Sequence, residues 1–518
     1  MLVVEKAKAL ALKLNNPERV LATIPTAKRL VTKGGDFVVT PHNLDEVRVL
    51  RNLGIQAPSP ILHYYNWPGR FSPYHHQKQT AAFLTVHPRA LVLNQIGTGK
   101  TKSALWAADY LMDVGAVKKV LIISPLSTLE RVWSDEIFTS LYHRKGLVLH
   151  GTAARRKKLL NAEADFYIIN HDGFGIIADD PATAKFDLLI VDEAAVLRNP
   201  STRRFKVLKK YMEKHPDTRL WLMTGTPTPN EPTDAWSLGY LVRNPNIAKT
   251  HGAFKEQVMY KAGMHRWTVR PESAEIVRHV LQPSVIYQRD ECFDLPDTIF
   301  QTRHVELTDE QKHHFKTMRK HLIAQLDSGE QITAVNEAVK MQKLIQIACG
   351  VAYGDDKQRL EIDASTRVAA VEEIIEEAGE KVILFVPLTG TLHMLEKCLS
   401  KRWPCAIVNG EVSASKRADI FYAFQNHPEP KVLIAHPATM AHGLTLTAAS
   451  TVIWYGPITS NEQYVQANGR VERIGKKHIS NVVNIEATAL ERELYKRLAE
   501  KQSLQGLLLD LLRQDMED

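Results

Sequence analysis

The sequence predicts an α/β chain of two parallel-sheet lobes in tandem, with a small α+β module before them and helical insertions between them. Three observations carry this. Short apolar runs recur, each ending in polar residues and followed by a helical stretch, as strands buried on both faces and covered by helices do. The runs fall into two series separated by a long helix-rich stretch. Only the first series contains a glycine-rich turn between strand and helix, Asn94-Gln95-Ile96-Gly97-Thr98-Gly99-Lys100-Thr101.

Size and composition agree with this plan. At 518 residues the chain exceeds the roughly 250–300 at which one core stops growing. It is 44% hydrophobic and 24% charged, a composition that excludes disordered and fibrous classes. The net charge of +8 fits a polyanionic partner without demanding one. Cys292, Cys349, Cys398 and Cys405 show no paired spacing and no clustered histidines, so neither zinc nor a disulfide framework is expected. Glu5, Lys6 and Lys8 interrupt any secretory apolar region, and no stretch reaches the ~18 apolar residues of a membrane span. A soluble protein of a bacterial or host-cell cytoplasm is expected, with the nucleus left open.

Residues 1–70 read as an accessory module. It comprises a basic helical stretch from Glu5 to Leu14, a strand from Asp36 to Pro41 and a helix from Asn43 to Leu53. Ala57-Pro58-Ser59-Pro60 and Trp67-Pro68-Gly69 read as a connection crossing the surface in extended form. A DNA-contacting role and a structural cap are equally compatible with this module.

Residues 71–245 form the first lobe, with runs at Ala90-Leu91-Val92-Leu93, Val120-Leu121-Ile122-Ile123, Phe166-Tyr167-Ile168-Ile169, Leu188-Leu189-Ile190-Val191 and Leu220-Trp221-Leu222-Met223. The last four end in Ser124-Pro125, Asn170-His171, Asp192-Glu193 and Thr224-Gly225-Thr226. In a parallel sheet these ends share one edge, where ligands bind. Residues 246–365 read as a helical insertion and linker. Residues 366–500 form the second lobe, with runs beginning at Val382, Val432, Thr451 and Val482, and residues 501–518 a C-terminal helix.

The glycine turn has the chemistry of a phosphate cradle. Gly97 and Gly99 admit backbone angles forbidden to side chains, so successive N–H groups and the following helix N-terminus face one hollow. Lys100 meets the terminal phosphates and the Thr101 hydroxyl ligates Mg²⁺, with Gly97, Thr98 and Gly99 completing the nucleotide-binding set. The strict pattern has glycine where Asn94 stands, and an ordinary glycine turn is the alternative.

Asp192-Glu193 at a strand end is a carboxylate pair able to hold Mg²⁺ and polarise an attacking water, the alternative being an acidic turn capping the next helix. Gln466-Ala467-Asn468-Gly469-Arg470-Val471-Glu472-Arg473 sets two arginines three apart on one helical face. They serve either as arginine fingers or as surface ion-pair partners.

Taken in order, these segments resemble the motifs of superfamily two helicases, and within them the Swi/Snf-type DNA translocases. Tyr74-His75-His76-Gln77 resembles the adenine-reading glutamine motif, and Ile123-Ser124-Pro125-Leu126 the first DNA-contacting motif. Asp192-Glu193-Ala194-Ala195 with Leu197-Arg198-Asn199 resembles the DEAH-like motif and its Swi/Snf extension. Thr224-Gly225-Thr226-Pro227 with Asn230, Gly443 to Ala449, and Gln466 to Gly475 resemble the later motifs. Arg289 followed by Leu295-Pro296, and Leu344-Ile345-Gln346, resemble the family's interlobe segment. The likeness runs from about residue 70 to 500. It departs at Ala195, where the family often has histidine, at Met440-Ala441 in place of a glycine pair, and at Gly469 in place of a common acidic residue.

The resemblance implies RecA-like lobes and a DNA-dependent ATPase using ATP and Mg²⁺. It implies Gln77 at the adenine and Thr101 and Asp192 at the metal. Lys100, Asp192, Glu193, Gln466, Arg470 and Arg473 would be catalytic. Backbone and hydroxyl groups of Pro125, Leu126, Asn230, Thr439 and Thr445 would grip DNA phosphates, contacts that carry no sequence information. The runs Arg155-Arg156-Lys157-Lys158, Arg203-Arg204 and Lys209-Lys210 would either add salt-sensitive attraction or form solvated faces. The expected function is translocation on duplex or branched DNA by a monomer, in remodelling, branch migration or annealing. A strand-separating DNA or RNA helicase and an inactive nucleic-acid-binding scaffold are the alternatives.

Overall fold

The computed structural model describes residues 1–32, 35–228, 231–262, 267–292, 298–327, 334–353, 359–440, 446–469 and 480–500. The chain divides into two units, Met1–Cys292 and Phe293–Asp518.

The first unit opens with β1 (Leu2–Val4), β2 (Ala9–Leu12), β3 (Lys28–Thr32) and β4 (Gly35–Pro41), an antiparallel sheet in the order β1-β2-β4-β3. β2 corrects the helix expected from Glu5 to Leu14. Leu10 and Leu12 are both buried while their neighbours are not, a period of two that a helix would send to opposite sides. The helix Leu44–Asn52 forms as expected, capped by Asn43, whose side chain accepts the Glu46 N–H.

The proline-rich connection is also corrected. Ala57, Ser59 and Ile61 are buried, a short helix spans Ile61–Tyr64, and Trp106 Nε1 donates to the Pro68 carbonyl at 2.8 Å. Leu10, Leu12, Val47 and Ile61 share one core with Ala81, Leu84 and Leu105 of the following layers, so the module packs against the first lobe.

Next come β5 (Arg89–Val92), β6 (Val120–Ser124), β7 (Gly146–Val148), β8 (Phe166–Asn170), β9 (Leu188–Asp192) and β10 (Arg219–Met223), then the hairpin of β11 (Met259–Lys261) and β12 (Trp267–Val269), and β13 (Ser284–Val285). All but the hairpin strands form one parallel sheet in the order β13-β5-β10-β9-β6-β8-β7. Its apolar runs are continuous because both faces are covered. Val120, Ile122, Leu188 and Ile190 enter one core, and Leu121, Ile123, Leu189 and Val191 the other.

The second unit repeats the plan. β14 (Thr298–His304), β17 (Lys381–Phe385), β18 (Cys405–Val408), β19 (Val432–Ala435), β20 (Ala449–Trp454) and β21 (Ser480–Glu486) form a parallel sheet in the order β14-β21-β20-β17-β19-β18, and β15 (Val351–Tyr353) pairs with β16 (Arg359–Glu361). β13 and β14 lie in the stretch read from sequence as helical. β13 has two residues, and β14 is a mostly exposed edge strand, so neither shows an apolar run.

A buried ion pair ties this unit together. Arg367 Nη2 donates to both carboxylate oxygens of Glu491 at 2.7 and 3.0 Å, and Arg367 Nη1 to the Tyr455 carbonyl at 2.5 Å. The tail helix Ala489–Ala499 buries Leu490, Leu494 and Leu498, and its expected continuation at 501–518 lies outside the described residues. Among the described residues no helix is long and apolar enough to cross a membrane, and no cluster of metal-ligating side chains occurs.

Candidate active site

The site is built on the C-terminal edge of the first sheet. Met223 of β10 pairs with Val92 on one side and Asp192 on the other. The glycine turn after β5 and the carboxylates after β9 therefore stand two strand spacings apart, about 10 Å. β10 ends between them in Thr224-Gly225-Thr226.

The turn runs from Leu93 into the helix Lys100–Asp113. Gly97 and Gly99 have φ of +89° and +80°. A Cβ on Gly99 would meet Gln77 Nε2 and displace that side chain, while the angle itself favours glycine. Asn94 is not among the positive-φ residues, which explains why the strict motif's first glycine is dispensable here. Its buried side chain is used instead, with Nδ2 donating to Thr80 Oγ1 at 2.9 Å and fastening the turn to the helix His75–Val86.

That helix also brings the adenine-motif residues to the turn. His76 Nε2 and Gln77 Nε2 meet the Thr98 carbonyl at 2.8 and 3.2 Å. Burial holds His76 below the ordinary imidazole value, leaving a neutral ring whose Nε2–H donates. Lys100 Nζ donates to the Asn94 and Gln95 carbonyls at 2.8 and 3.2 Å, inside the curl of its own turn.

On the other flank, the turn is stitched to the segment that leaves the first sheet. Gln95 N–H donates to the Tyr287 carbonyl at 3.0 Å, its Nε2 to Gln288 Oε1, and its Oε1 accepts the Arg289 N–H at 3.0 Å. Gln95 thus engages residues 288 and 289 with both ends of its amide.

At the end of β9, Asp192 is fixed by several contacts. Oδ1 accepts the Glu193 N–H at 3.0 Å, Oδ2 accepts Trp133 Nε1–H at 3.1 Å, and the Asp192 carbonyl lies 2.8 Å from His171 Nε2. Glu193 holds φ +51°, a left-handed conformation that costs a non-glycine residue about 1–2 kcal/mol. Ala195 is wholly buried and brings no side-chain polar atom.

The Gly225 backbone lies against Ile96, and Thr226 Oγ1 is buried without a hydrogen-bond partner. These residues fit a magnesium nucleotide. The cradle has glycines at its two positive-φ positions, an ammonium at its centre, a hydroxyl at Thr101, carboxylates on a nearby strand end and an orphaned hydroxyl at Thr226.

The remaining expected residues stand on other segments of the two units. Pro125 and Leu126 come directly after β6, with Leu126 58% exposed. In the second unit Gln466 lies on the helix Asn461–Asn468, Nε2 donating to Glu462 Oε1 at 3.3 Å, and Thr439 is buried with its hydroxyl 2.7 Å from the His436 carbonyl. Asn230, Thr445, Arg470 and Arg473 lie outside the described residues.

The basic runs are partly internal. Arg156 donates to the Gly151 carbonyl and to Asn170 Oδ1 at 2.8 and 2.7 Å, Arg204 pairs with Asp172, and Lys210 with Asp179. Sequence reasoning missed Trp133, and it placed Gln95 in the glycine turn and His171 at a strand end on this edge without their specific partners. No spacing marks these contacts, since they depend on loops meeting at the sheet edge.

Comparison with known proteins agrees with this geometry. Residues 76–349 match the model of the SNF2-related domain, and residues 366–475 that of the helicase conserved C-terminal domain. A protein of Acyrthosiphon pisum secondary endosymbiont phage 1 is 25% identical over 469 residues, covering 86% of this chain and 99% of the phage protein. The SWI/SNF chromatin-remodeling complex subunit snf22 of Schizosaccharomyces pombe is 25% identical over 81% of this chain, which spans 26% of that protein. The ATP-dependent DNA helicase DDM1 of Arabidopsis thaliana is 23% identical over 81% of this chain, which spans 59% of it.

Proposed function

The chain belongs to the SNF2-related family of ATPases, and from that premise we propose that it is a translocase hydrolysing ATP to move along duplex or branched DNA. The observation that carries the reading is the meeting, on one parallel-sheet edge, of a lysine-bearing glycine cradle with Asp192-Glu193.

In this reading Lys100 leaves its own turn's carbonyls for the terminal phosphates, and Gln77 reads the adenine. Thr101 and Asp192 would hold Mg²⁺, which supplies positive charge to the phosphate oxygens when bound. Glu193 orients the attacking water and takes up its proton. Gln466, Arg470 and Arg473 of the second unit are assigned to the charge that develops on the transferring phosphoryl group. The reading gives Pro125, Leu126, Asn230, Thr439 and Thr445 the DNA phosphates, gripped without regard to sequence.

Duplex DNA as substrate is supported by the family and by relatives named as a chromatin-remodelling subunit and a DNA helicase, although the chain spans only part of those two proteins. The likeness to a phage protein over nearly its whole length supports work in a bacterial cytoplasm, and a monomer is proposed because one chain supplies both lobes. Displacement of a third strand from a DNA triplex tests the proposal. ATP-dependent displacement that fails in Lys100→Ala is expected, together with no unwinding of a forked duplex. Unwinding of the fork would replace the translocase with a strand-separating helicase.

A further inference from the structure

We infer that Trp133 is a positioning residue for Asp192, and that it links the exposed Leu126 turn to the ATPase centre. The inference rests on the proposed function, since it assigns nucleotide chemistry to Asp192 and DNA contact to Leu126.

An indole N–H can only donate, so its 3.1 Å approach to Asp192 Oδ2 has a single polarity. Trp133 is wholly buried, and its ring has no room to turn away. Oδ1 accepts the Glu193 N–H and the backbone carbonyl is held by His171, and Trp133 adds a donor to the other carboxylate oxygen. Ala195, the buried residue three positions on, brings no polar side chain to share the task.

The backbone carrying Trp133 is unusual. Leu129–Ser134 is a π-helical turn, closed by the Asp135 N–H donating to the Glu130 carbonyl. Such turns are rare and collect at functional sites. Trp133 lies inside this turn, and its indole reaches Asp192 from there.

The turn is continuous with the surface loop. A 3₁₀ turn, Leu126–Thr128, joins it directly, and Thr128 is tied back by its N–H and its hydroxyl to the Pro125 carbonyl at 3.0 and 2.9 Å. An unbroken hydrogen-bonded segment thus runs from Pro125 to the indole. A ligand that presses on Leu126 moves a short, stiff piece of chain whose far end holds Asp192.

The test pairs steady-state kinetics with hydrogen–deuterium exchange on the full chain. Trp133→Phe keeps most of the ring and deletes the N–H. Losing one hydrogen bond to a charged group predicts a kcat with duplex DNA lower by about tenfold or more, with KM for ATP within twofold. A merely structural defect would move both.

In the wild type, duplex DNA without nucleotide is expected to slow exchange in peptides covering 126–135 and 190–194. In Trp133→Phe the first protection persists and the second is lost. The wild-type comparison needs no variant, and absence of DNA-induced protection at 190–194 there overturns the link even if Trp133→Phe does not fold. Wild-type protection at 126–135 with unchanged kcat in Trp133→Phe overturns this inference alone. A wild type indifferent to duplex DNA in both assays overturns the proposed function with it.

Discussion

Replacing Gly99 with alanine places a methyl group where φ is +80° and where Gln77 Nε2 already stands. The left-handed angle costs a side chain about 1–2 kcal/mol. Gln77 must also swing away and lose its 3.2 Å bond to the Thr98 carbonyl, about 1 kcal/mol more. The cradle escapes this total of about 2–3 kcal/mol by leaving the angles that point its N–H groups inward. Nucleotide must then restore them, weakening its affinity roughly 30- to 150-fold, since each 1.4 kcal/mol is tenfold.

Calorimetric titration with a non-hydrolysable ATP analogue reads this directly. Gly115→Ala is the control, because its φ of +74° carries the same backbone penalty while nothing lies within 4 Å of the added Cβ. That variant should lose stability and keep its affinity. Gly99→Ala binding within threefold of wild type, or Gly115→Ala weakening it equally, would show that the Gly99 geometry does not set nucleotide affinity.

Other expectations rest on single contacts. Glu491→Gln removes the charge that answers Arg367 in a site fully shielded from water, and should destabilise the second unit by about 3–5 kcal/mol, read as a lowered melting transition. Burial holds His42, His76, His87 and His436 below the unfolded value of 6.5. As pH falls through 6.5 the unfolded chain therefore takes up more protons than the folded one, and stability is lost. Thermal unfolding should occur at lower temperature at pH 5.5 than at pH 7.5, and an equal or higher temperature would contradict the assignment. Binding to duplex DNA, measured by anisotropy, should weaken steeply between 50 and 200 mM salt, as phosphate contacts do.

Much of this architecture was legible because strands buried on both faces announce themselves as continuous apolar runs. Val120–Ile123 and Leu188–Val191 could be read directly, and their polar ends located the site edge. β2 was not legible, because four residues of alternating alanine and leucine satisfy either a strand or a helix until β4 pairs with them. β13 and β14 were hidden by short length and edge position.

Within the site, the residues set by local backbone chemistry, Gly97, Gly99, Lys100 and Asp192, carried their own signal. Asn94 looked like a defect in the motif, and only its contact with Thr80 and its ordinary φ show why glycine is not needed. His171 stands at a polar strand end legible as part of this edge, whereas Trp133 reaches Asp192 from another segment and nothing in its sequence neighbourhood points to it.

We propose that the cradle and Asp192-Glu193 form a DNA-responsive ATPase. The most direct test is steady-state ATP hydrolysis by the full chain alone and with duplex, branched and single-stranded DNA and RNA, beside Lys100→Ala. Slow hydrolysis by the protein alone, strong stimulation by duplex or branched DNA, and none in Lys100→Ala are expected. Hydrolysis that persists in Lys100→Ala, or that no DNA stimulates, would contradict the proposal.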